Sequence, residues 1–309
     1  YILLALTFGY TMIVAESALG RMTRKSPVGA FKAFGKKAGW LSFGGWINAI
    51  IPVLIVPYYS VIGGWVIKYF VEYLKGNGAK LAEDGYFSNF ISNGLSTEIC
   101  FIVFCMFTLI IIYAGVRNGI ERVSKFMMPI LVVLSVIIAF YSVTRPRALA
   151  GVKYFLVPNP KNFSWMTVVT AMGQMFYSLS IAMGILVTFG SYMKKDTSIE
   201  DSTRNVEVFD TAIAIMAGLM IIPAVFAFSG GDPDTLQAGP SLMFITIPKV
   251  FNSMGFGTFA GILFFLLVLF AAVTSSIALT ESAVSTVEDE LKWSRKKSTV
   301  IVGFIMIIL

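Results

Sequence analysis

The sequence predicts an all-α polytopic membrane protein. Of its 309 residues, 57% are hydrophobic and only 13% are charged, and the mean hydropathy is +0.80. Soluble domains carry charge at about a quarter of their positions. Apolar runs long enough to form membrane-spanning helices recur along the chain. They exclude an outer-membrane barrel, whose short strands would alternate polar and apolar residues.

Composition also excludes several functions. The net charge of +7 does not indicate a nucleic-acid partner, because Lys and Arg are scattered over several loops. Histidine is absent, and the two cysteines, Cys100 and Cys105, share one apolar segment. We therefore expect buried thiols rather than a disulfide or a zinc or haem site. The chain shows no nucleophile–histidine pair, phosphate-binding loop or redox motif, so we expect no enzyme activity.

Eight apolar segments predict membrane crossings. The first and last are expected to be incomplete, because the chain begins and ends inside apolar runs. We therefore expect residues 1–309 to form a single transmembrane domain that is a fragment of a longer protein. In order, the predicted crossings are 1–19, 40–73, 99–115, 126–143, 166–193, 206–228, 259–287 and 298–309.

The distribution of charge orients these crossings. Sixteen of the 24 Lys and Arg residues fall in four alternate loops, 20–39, 117–125, 194–204 and 292–297. The positive-inside rule places these loops in the cytoplasm. The outer connections are then 76–96, 144–164 and 229–257, the last with a short re-entrant or surface helix over 241–251.

The segment 173–184 stands out because polar groups interrupt its apolar run. It contains Gln174, Ser178 and Ser180 and has glycine at both ends. Serines in a membrane helix can bond to their own preceding carbonyls, and glycines permit close packing. Alternatively, the helix breaks at mid-membrane and turns hydroxyls and backbone groups toward a ligand. On this stretch alone, the packing interpretation is favoured.

Three acids qualify as functional candidates at membrane depth, where ionisable side chains are costly. They are Glu16, Asp210 and Glu281. Asp210 stands near the inner end of its crossing, so a functional carboxylate and a helix cap are equally good interpretations. Glu281 is equally compatible with an interfacial position.

Hydroxyl groups interrupt two other crossings. Thr274, Ser275 and Ser276 point in directions about 100° apart around a helix, so at least one faces the protein interior. Such hydroxyls suit a hard cation such as sodium, or they bond to the carbonyl four residues earlier. Tyr58 and Tyr59 lie in the middle of the second crossing, where a phenol needs a partner from another helix or a ligand.

These stretches together resemble the bacterial branch of the neurotransmitter:sodium symporter family. The resemblance covers essentially the whole chain and preserves the order and separation of the motifs. It implies a LeuT-type inverted-repeat bundle, from about the second to the ninth family helix, without the first helix or those after the ninth. The stretches that carry the resemblance are YYSVIGGW at 58–65, GQMFYSLSIAMG at 173–184, LFAAVTSSIAL at 269–279 and EDEL at 288–291.

By this resemblance, the chain contributes part of a substrate site. Tyr59 would bind the substrate carboxylate, and Tyr177 would close over the substrate as a lid. The implied substrate-binding residues are Ile55, Tyr59, Tyr177, Ser178, Ser180, Met183, Ser275 and Leu279.

The resemblance also implies two sodium sites, both completed by the first family helix. Ser178 and Asp210 would contribute to the first site, and Ala271 (through its carbonyl), Thr274 and Ser275 to the second. Asp210 occupies a position where many relatives have asparagine. Its carboxylate could supply the negative charge that chloride supplies in chloride-dependent members, so we expect no chloride requirement.

Gating residues follow from the same resemblance. Tyr177 belongs to the outer gate, and Tyr192 and Asp289 match the inner gate. Glu16 matches an acid that braces the unwound part of the broken helix.

The expected function is sodium-coupled symport of a small, hydrophobic amino acid by alternating access, without covalent chemistry. The expected partners are the amino acid, sodium ions and the lipid bilayer, with no nucleic acid, and the expected location is the bacterial inner membrane. Two alternatives stay open: a proton-coupled amino-acid transporter of related architecture, and a non-transporting membrane amino-acid sensor.

Overall fold

The predicted all-helical architecture is confirmed. The computed structural model describes residues 1–33, 40–230 and 239–309, and these residues form helices and no strand. In chain order the helices are α1 (Ile2–Thr23), α2 (Pro27–Ala33), α3 (Leu41–Leu74), α4 (Gly78–Leu81), α5 (Tyr86–Ser92), α6 (Gly94–Tyr113), α7 (Val116–Val143), α8 (Ala148–Leu156), α9 (Trp165–Ser178), α10 (Ile185–Tyr192), α11 (Ile199–Ser229), α12 (Ile247–Ser253), α13 (Gly257–Leu291) and α14 (Arg295–Ile308).

Six of the described helices are long and apolar enough to cross a membrane: α1, α3, α6, α7, α11 and α13. They contain 20 to 35 residues, and about 20 residues suffice to cross the hydrocarbon core. The predicted crossing 166–193 is divided between α9 and α10, and α14 covers the last one. Seven of the eight predicted crossings thus correspond to one helix each, and the eighth is formed by two helices with a non-helical stretch between them.

Helix α11 begins earlier than its predicted crossing. The Ser198 hydroxyl caps it by accepting a hydrogen bond from the backbone N–H of Asp201, 3.2 Å away. Glu200 and Asp201 lie in the first turn, where the helix dipole favours negative charge. The predicted charged loop is therefore shorter than expected, because its second half forms the first turns of α11.

The predicted outer connections contain short helices. Helices α4 and α5 lie in the first, α8 in the second and α12 in the third. The predicted helix over 241–251 is present as a π-helical turn, Leu242–Thr246, followed by α12. Residues 231–238 of that connection lie outside the described residues, as do residues 34–39 of the first inner loop, with Lys36 and Lys37 of the charge count.

Helices α3 and α13 form the centre of the bundle, and their packing fixes the site residues that they carry. Gly63 of α3 lies against Phe104 of α6, where an added Cβ would come within 2.5 Å of the ring. Toward the outer side, the buried Tyr69 donates a hydrogen bond to the Phe244 carbonyl, 2.8 Å away, and its ring packs against Phe265 of α13. Shifting α3 would separate all of these close contacts.

Candidate functional site

The interrupted segment 173–184 is a broken helix. Helix α9 ends at Ser178 and α10 begins at Ile185, and the residues between them are not helical. Ser180, Ala182 and Gly184 have positive φ angles of 56°, 61° and 69°. A non-glycine residue in this region costs about 1–2 kcal/mol, so surrounding contacts must hold this conformation. The packing interpretation of a continuous helix is wrong, and the break implied by the family resemblance is confirmed.

Two side chains from other helices hold the backbone of the break. Glu16 of α1 accepts a hydrogen bond from the Ala182 N–H, 2.8 Å from its Oε1 atom. Asn48 of α3 accepts one from the Gly184 N–H, 3.2 Å from its Oδ1 atom, and donates to the Gly44 carbonyl. Glu16 therefore lies where the resemblance implied a brace. Asn48 was not identified from the sequence.

Gly184 at the inner end of the break is closely surrounded. A Cβ at this position would lie 2.7 Å from Cγ of Pro27, 3.0 Å from the Asn48 carbonyl oxygen and 3.0 Å from the Ser282 hydroxyl. We expect Gly184→Ala to lower the free energy of unfolding by at least about 1–2 kcal/mol, because alanine is strained at positive φ and has no space here.

Thermal unfolding of the purified full-length protein in detergent measures this effect. Gly173→Ala is the matched control, because Gly173 is helical and an added Cβ there meets no atom within 4 Å. This control should melt at or slightly above the wild-type temperature. Equal melting temperatures for both variants would contradict the described geometry of the break.

Ser178 and Asp210 meet where the break begins. The Ser178 hydroxyl lies 2.8 and 3.0 Å from the two carboxylate oxygens of Asp210. Tyr1 donates to the same carboxylate at 2.6 Å. Asp210 lies well inside α11, whose cap is Ser198, so the helix-capping interpretation of Asp210 is wrong. A carboxylate beside hydroxyl oxygens is a donor set that a hard cation prefers.

The hydroxyls of α13 point in different directions, as the sequence predicts. Thr274 Oγ1 lies 3.0 Å from the Ala271 carbonyl and 3.1 Å from the Phe270 carbonyl. The second contact is the i−4 hydrogen bond of the alternative interpretation. Ser275 instead interacts with the phenol of Tyr59 on α3.

A cavity of about 650 Å³ lies between α7, α11 and α13, within the size range of small-molecule sites. Asp210, Ala271, Thr274 and Ser275 all line it. The residues expected at the second sodium site thus share one cavity with the carboxylate expected at the first. Its other lining residues are mostly apolar: Met128, Pro129, Leu131, Val132, Asn205, Val206, Phe209 and Ile213.

Four of the expected substrate residues lie in one hydrophobic cluster: Ile55, Tyr59, Met183 and Leu279. They come from α3, the break and α13. Leu279 is buried, and the other three are partly buried. Ser180 is partly buried in the unwound backbone. Tyr177 is half exposed and lies outside this cluster, at the end of α9.

Glu281 is the centre of a buried ion pair near the inner end of the bundle. It is fully buried, and the Arg295 guanidinium donates to its two oxygens at 2.9 and 2.6 Å. Tyr192 donates to the same carboxylate at 2.7 Å, and Arg295 also donates to the Ile112 carbonyl at 3.1 Å. Glu281 is therefore enclosed by the bundle and is not exposed at its surface. Arg295 connects α6, α13 and α14 and was missed in the sequence.

Asp289, the other residue expected at the inner gate, does not share the Glu281 contact of Tyr192. It accepts a hydrogen bond from the backbone N–H of Ser26, just before α2. Lys32 of α2 pairs with the neighbouring Glu290. The two residues expected at the inner gate thus both lie at the inner end of the bundle, where Tyr192 joins α10 to α13 and Asp289 joins the start of α2 to α13.

Known proteins share this sequence pattern. The model of the sodium:neurotransmitter symporter family matches residues 88–309. An uncharacterized sodium-dependent transporter of Bacillus subtilis is 34% identical over 300 residues, which cover 96% of this chain and 65% of that protein. One of Haemophilus influenzae is 31% identical over 310 residues, covering 96% and 66%. The chain thus spans about two thirds of the length of these curated relatives.

The structure supports the same relationship. The crystal structure of MhsT in complex with L-phenylalanine matches with a TM-score of 0.87 and 33% identity, over 99% of this chain and 69% of that chain. This match confirms the expected LeuT-type fold and, with the six apolar helices, a multi-pass membrane protein. The chain belongs to the sodium:neurotransmitter symporter family.

Proposed function

We propose that the full-length protein is a sodium-coupled symporter that imports a small, hydrophobic amino acid by alternating access. The observation that carries this proposal is the meeting of Ser178 at the helix break with Asp210, beside a cavity that Thr274 and Ser275 also line. These residues come from three different helices. The family membership and the names of the relatives support sodium as the coupling ion.

The first sodium ion would bind between Ser178 and Asp210. Both offer oxygen, which is the ligand that hard cations select. Sodium and the Asp210 carboxylate carry opposite charges, so they would attract each other at this site. Because the carboxylate already supplies a negative charge, we propose that chloride is not required.

The second sodium ion would bind at α13. Ala271, Thr274 and Ser275 all line the cavity beside this helix. Thr274 already approaches the Ala271 carbonyl at 3.0 Å, so two oxygens would reach one ion without rearrangement of the helix.

The substrate site would lie between α3, the break and α13. Tyr59 would bind the substrate carboxylate, with Ser178, Ser180 and Ser275 providing nearby hydroxyls. The apolar side chains would enclose an apolar substrate side chain, in keeping with the phenylalanine bound in the MhsT structure. The apolar wall consists of Ile55, Met183 and Leu279, with Tyr177 as the lid.

Alternating access would use the break as a hinge, because unwound residues absorb dihedral changes more readily than helical ones. Opening toward the cytoplasm would then separate α10 and α2 from α13, where Tyr192 and Asp289 now make contact. We place this single transport domain in the bacterial inner membrane, by analogy with the bacterial relatives.

Equilibrium binding of each of the twenty amino acids to the full-length protein tests this function. We expect at least one hydrophobic amino acid to bind in sodium chloride and to bind far more weakly in potassium chloride. Equal binding in both salts would contradict sodium coupling and favour the proton-coupled alternative. Replacing chloride with gluconate at constant sodium tests the proposed chloride independence.

A further inference from the structure

A groove of about 890 Å³ runs along α1, on the side of the helix that faces away from the bundle. It lies near the cytoplasmic end of α1. The apolar side chains that α1 contributes to it follow the spacing i, i+3, i+4 and i+7, so they form one face of the helix. Met22 on this face is 66% exposed. The opposite face packs into the bundle, where Ile13, Ser17 and Gly20 are buried. The apolar lining of the groove is Ala15, Ala18, Leu19, Met22 and Ile199.

The cytoplasmic rim of the groove is cationic. Arg21, Arg24 and Lys195 line it, and no Asp or Glu does. Within residues 1–33, 40–230 and 239–309, none of the three forms an ion pair with a carboxylate. The acids of the adjoining turn, Asp196 and Glu200, are exposed and lie outside the lining. The rim therefore carries three positive charges without a paired anion.

The two arginines are held in place by backbone carbonyls. Arg24 donates to the Ser191 carbonyl at 3.0 Å and also to the Met193 carbonyl. Arg21 donates to the Thr197 carbonyl. These contacts fix both guanidinium groups against the loop that joins α10 to α11. Each guanidinium has five N–H donors, so several remain for an anion.

The position of the groove matches the anatomy of a bilayer leaflet. Helix α1 is long and apolar enough to cross a membrane, and the charge distribution places the end that carries Arg21 and Arg24 on the cytoplasmic side. The apolar part of the groove then lies at the depth of acyl chains and the cationic rim at the level of headgroups. Each Lys or Arg near a membrane surface contributes about fivefold to the affinity for anionic lipid.

We propose that this groove binds one anionic phospholipid of the inner leaflet. The lipid phosphate would contact Arg21, Arg24 and Lys195, and an acyl chain would lie along the small side chains of Ala15 and Ala18. The lipid would then contact the loop that joins α10 to α11. This inference is independent of the transported substrate and of the coupling ion.

Phosphatidylglycerol added to the purified full-length protein in neutral detergent tests the proposal, with retained lipid measured by native mass spectrometry. Lys195→Gln removes one rim charge, and Lys195 is exposed, so the fold should persist. We expect phosphatidylglycerol to bind about fivefold more weakly to this variant. Lys194→Gln is the matched control, because it removes the same charge one residue away from an exposed position outside the groove lining; it should bind like wild type.

Ala18→Phe tests the shape of the groove, because the ring would fill its floor while all three charges remain. We expect this variant to retain no phosphatidylglycerol. For the wild-type protein, we expect phosphatidylcholine to bind more weakly than phosphatidylglycerol. The proposal would be overturned if the Lys194 and Lys195 variants bound phosphatidylglycerol equally weakly. It would also be overturned if the wild-type protein bound the two lipids equally well. If Ala18→Phe lowers the melting temperature, the comparison of Lys195→Gln with Lys194→Gln alone tests the proposal.

Discussion

Replacing Arg295 with alanine should lower the free energy of unfolding by roughly 3–5 kcal/mol. Glu281 is fully buried, and Arg295 is the cation that pairs with both of its oxygens. Without the guanidinium, the carboxylate would be left as an uncompensated buried charge, which is the costly way to break a buried ion pair. The Tyr192 hydroxyl alone cannot replace a positive charge.

Thermal and denaturant unfolding of the purified full-length protein measure this loss. Lys296→Ala is the matched control, since it removes an exposed charge from the next position of α14 and should change stability by about 1 kcal/mol or less. The double variant Glu281→Gln with Arg295→Met removes both charges and should recover most of the lost stability. If Arg295→Ala melts like the control, Glu281 is not the buried anion described above.

Replacing Asp210 with asparagine should abolish sodium-driven uptake in chloride-free buffer. The substitution keeps an oxygen beside Ser178 but removes the negative charge that would balance sodium. Charged hydrogen-bonding groups contribute about 1.5–3 kcal/mol, so sodium should bind roughly tenfold to a hundredfold more weakly. In chloride buffer, uptake should either return or stay absent, according to whether chloride reaches the vacated position.

Asp201→Asn controls for loss of an acid from the same helix. Asp201 is exposed in the first turn of α11, so its replacement should leave the sodium dependence of uptake unchanged. Full, chloride-independent uptake by the Asp210 variant would show that this carboxylate has only a structural role and would remove it from the first sodium site.

The helices were predictable because the hydropathy of a segment and the charge of its neighbouring loops can be read from consecutive residues. The break within 173–184 was not predictable from its own residues, since serine and glycine also suit a packed membrane helix. Glu16 and Asn48, which hold it, lie 166 and 136 residues away along the chain. Only the resemblance to a known family indicated the break, and no pattern in the sequence indicated Asn48.

The candidate site shows the same limit. Helical geometry predicts that Thr274, Ser275 and Ser276 diverge, but it cannot assign their partners. Ser276 in fact accepts a hydrogen bond from the buried Thr108, 3.2 Å away, so this hydroxyl serves packing.

Arg295 and Tyr1 were missed for a related reason. Arg295 looks like one of several basic residues in an inner loop until the fold brings it to Glu281, and Tyr1 meets Asp210 from 209 residues away. A buried acid that needs a cation is the signal that could have led to Arg295.

Uptake by the full-length protein in proteoliposomes tests sodium-coupled transport most directly. With potassium inside and sodium outside, we expect the amino acid identified by binding to accumulate inside the vesicles. Accumulation should disappear when external sodium is replaced by potassium. Undiminished uptake in potassium buffer with an inward proton gradient would contradict sodium coupling, and sodium-dependent binding without any uptake would identify a sensor instead of a transporter.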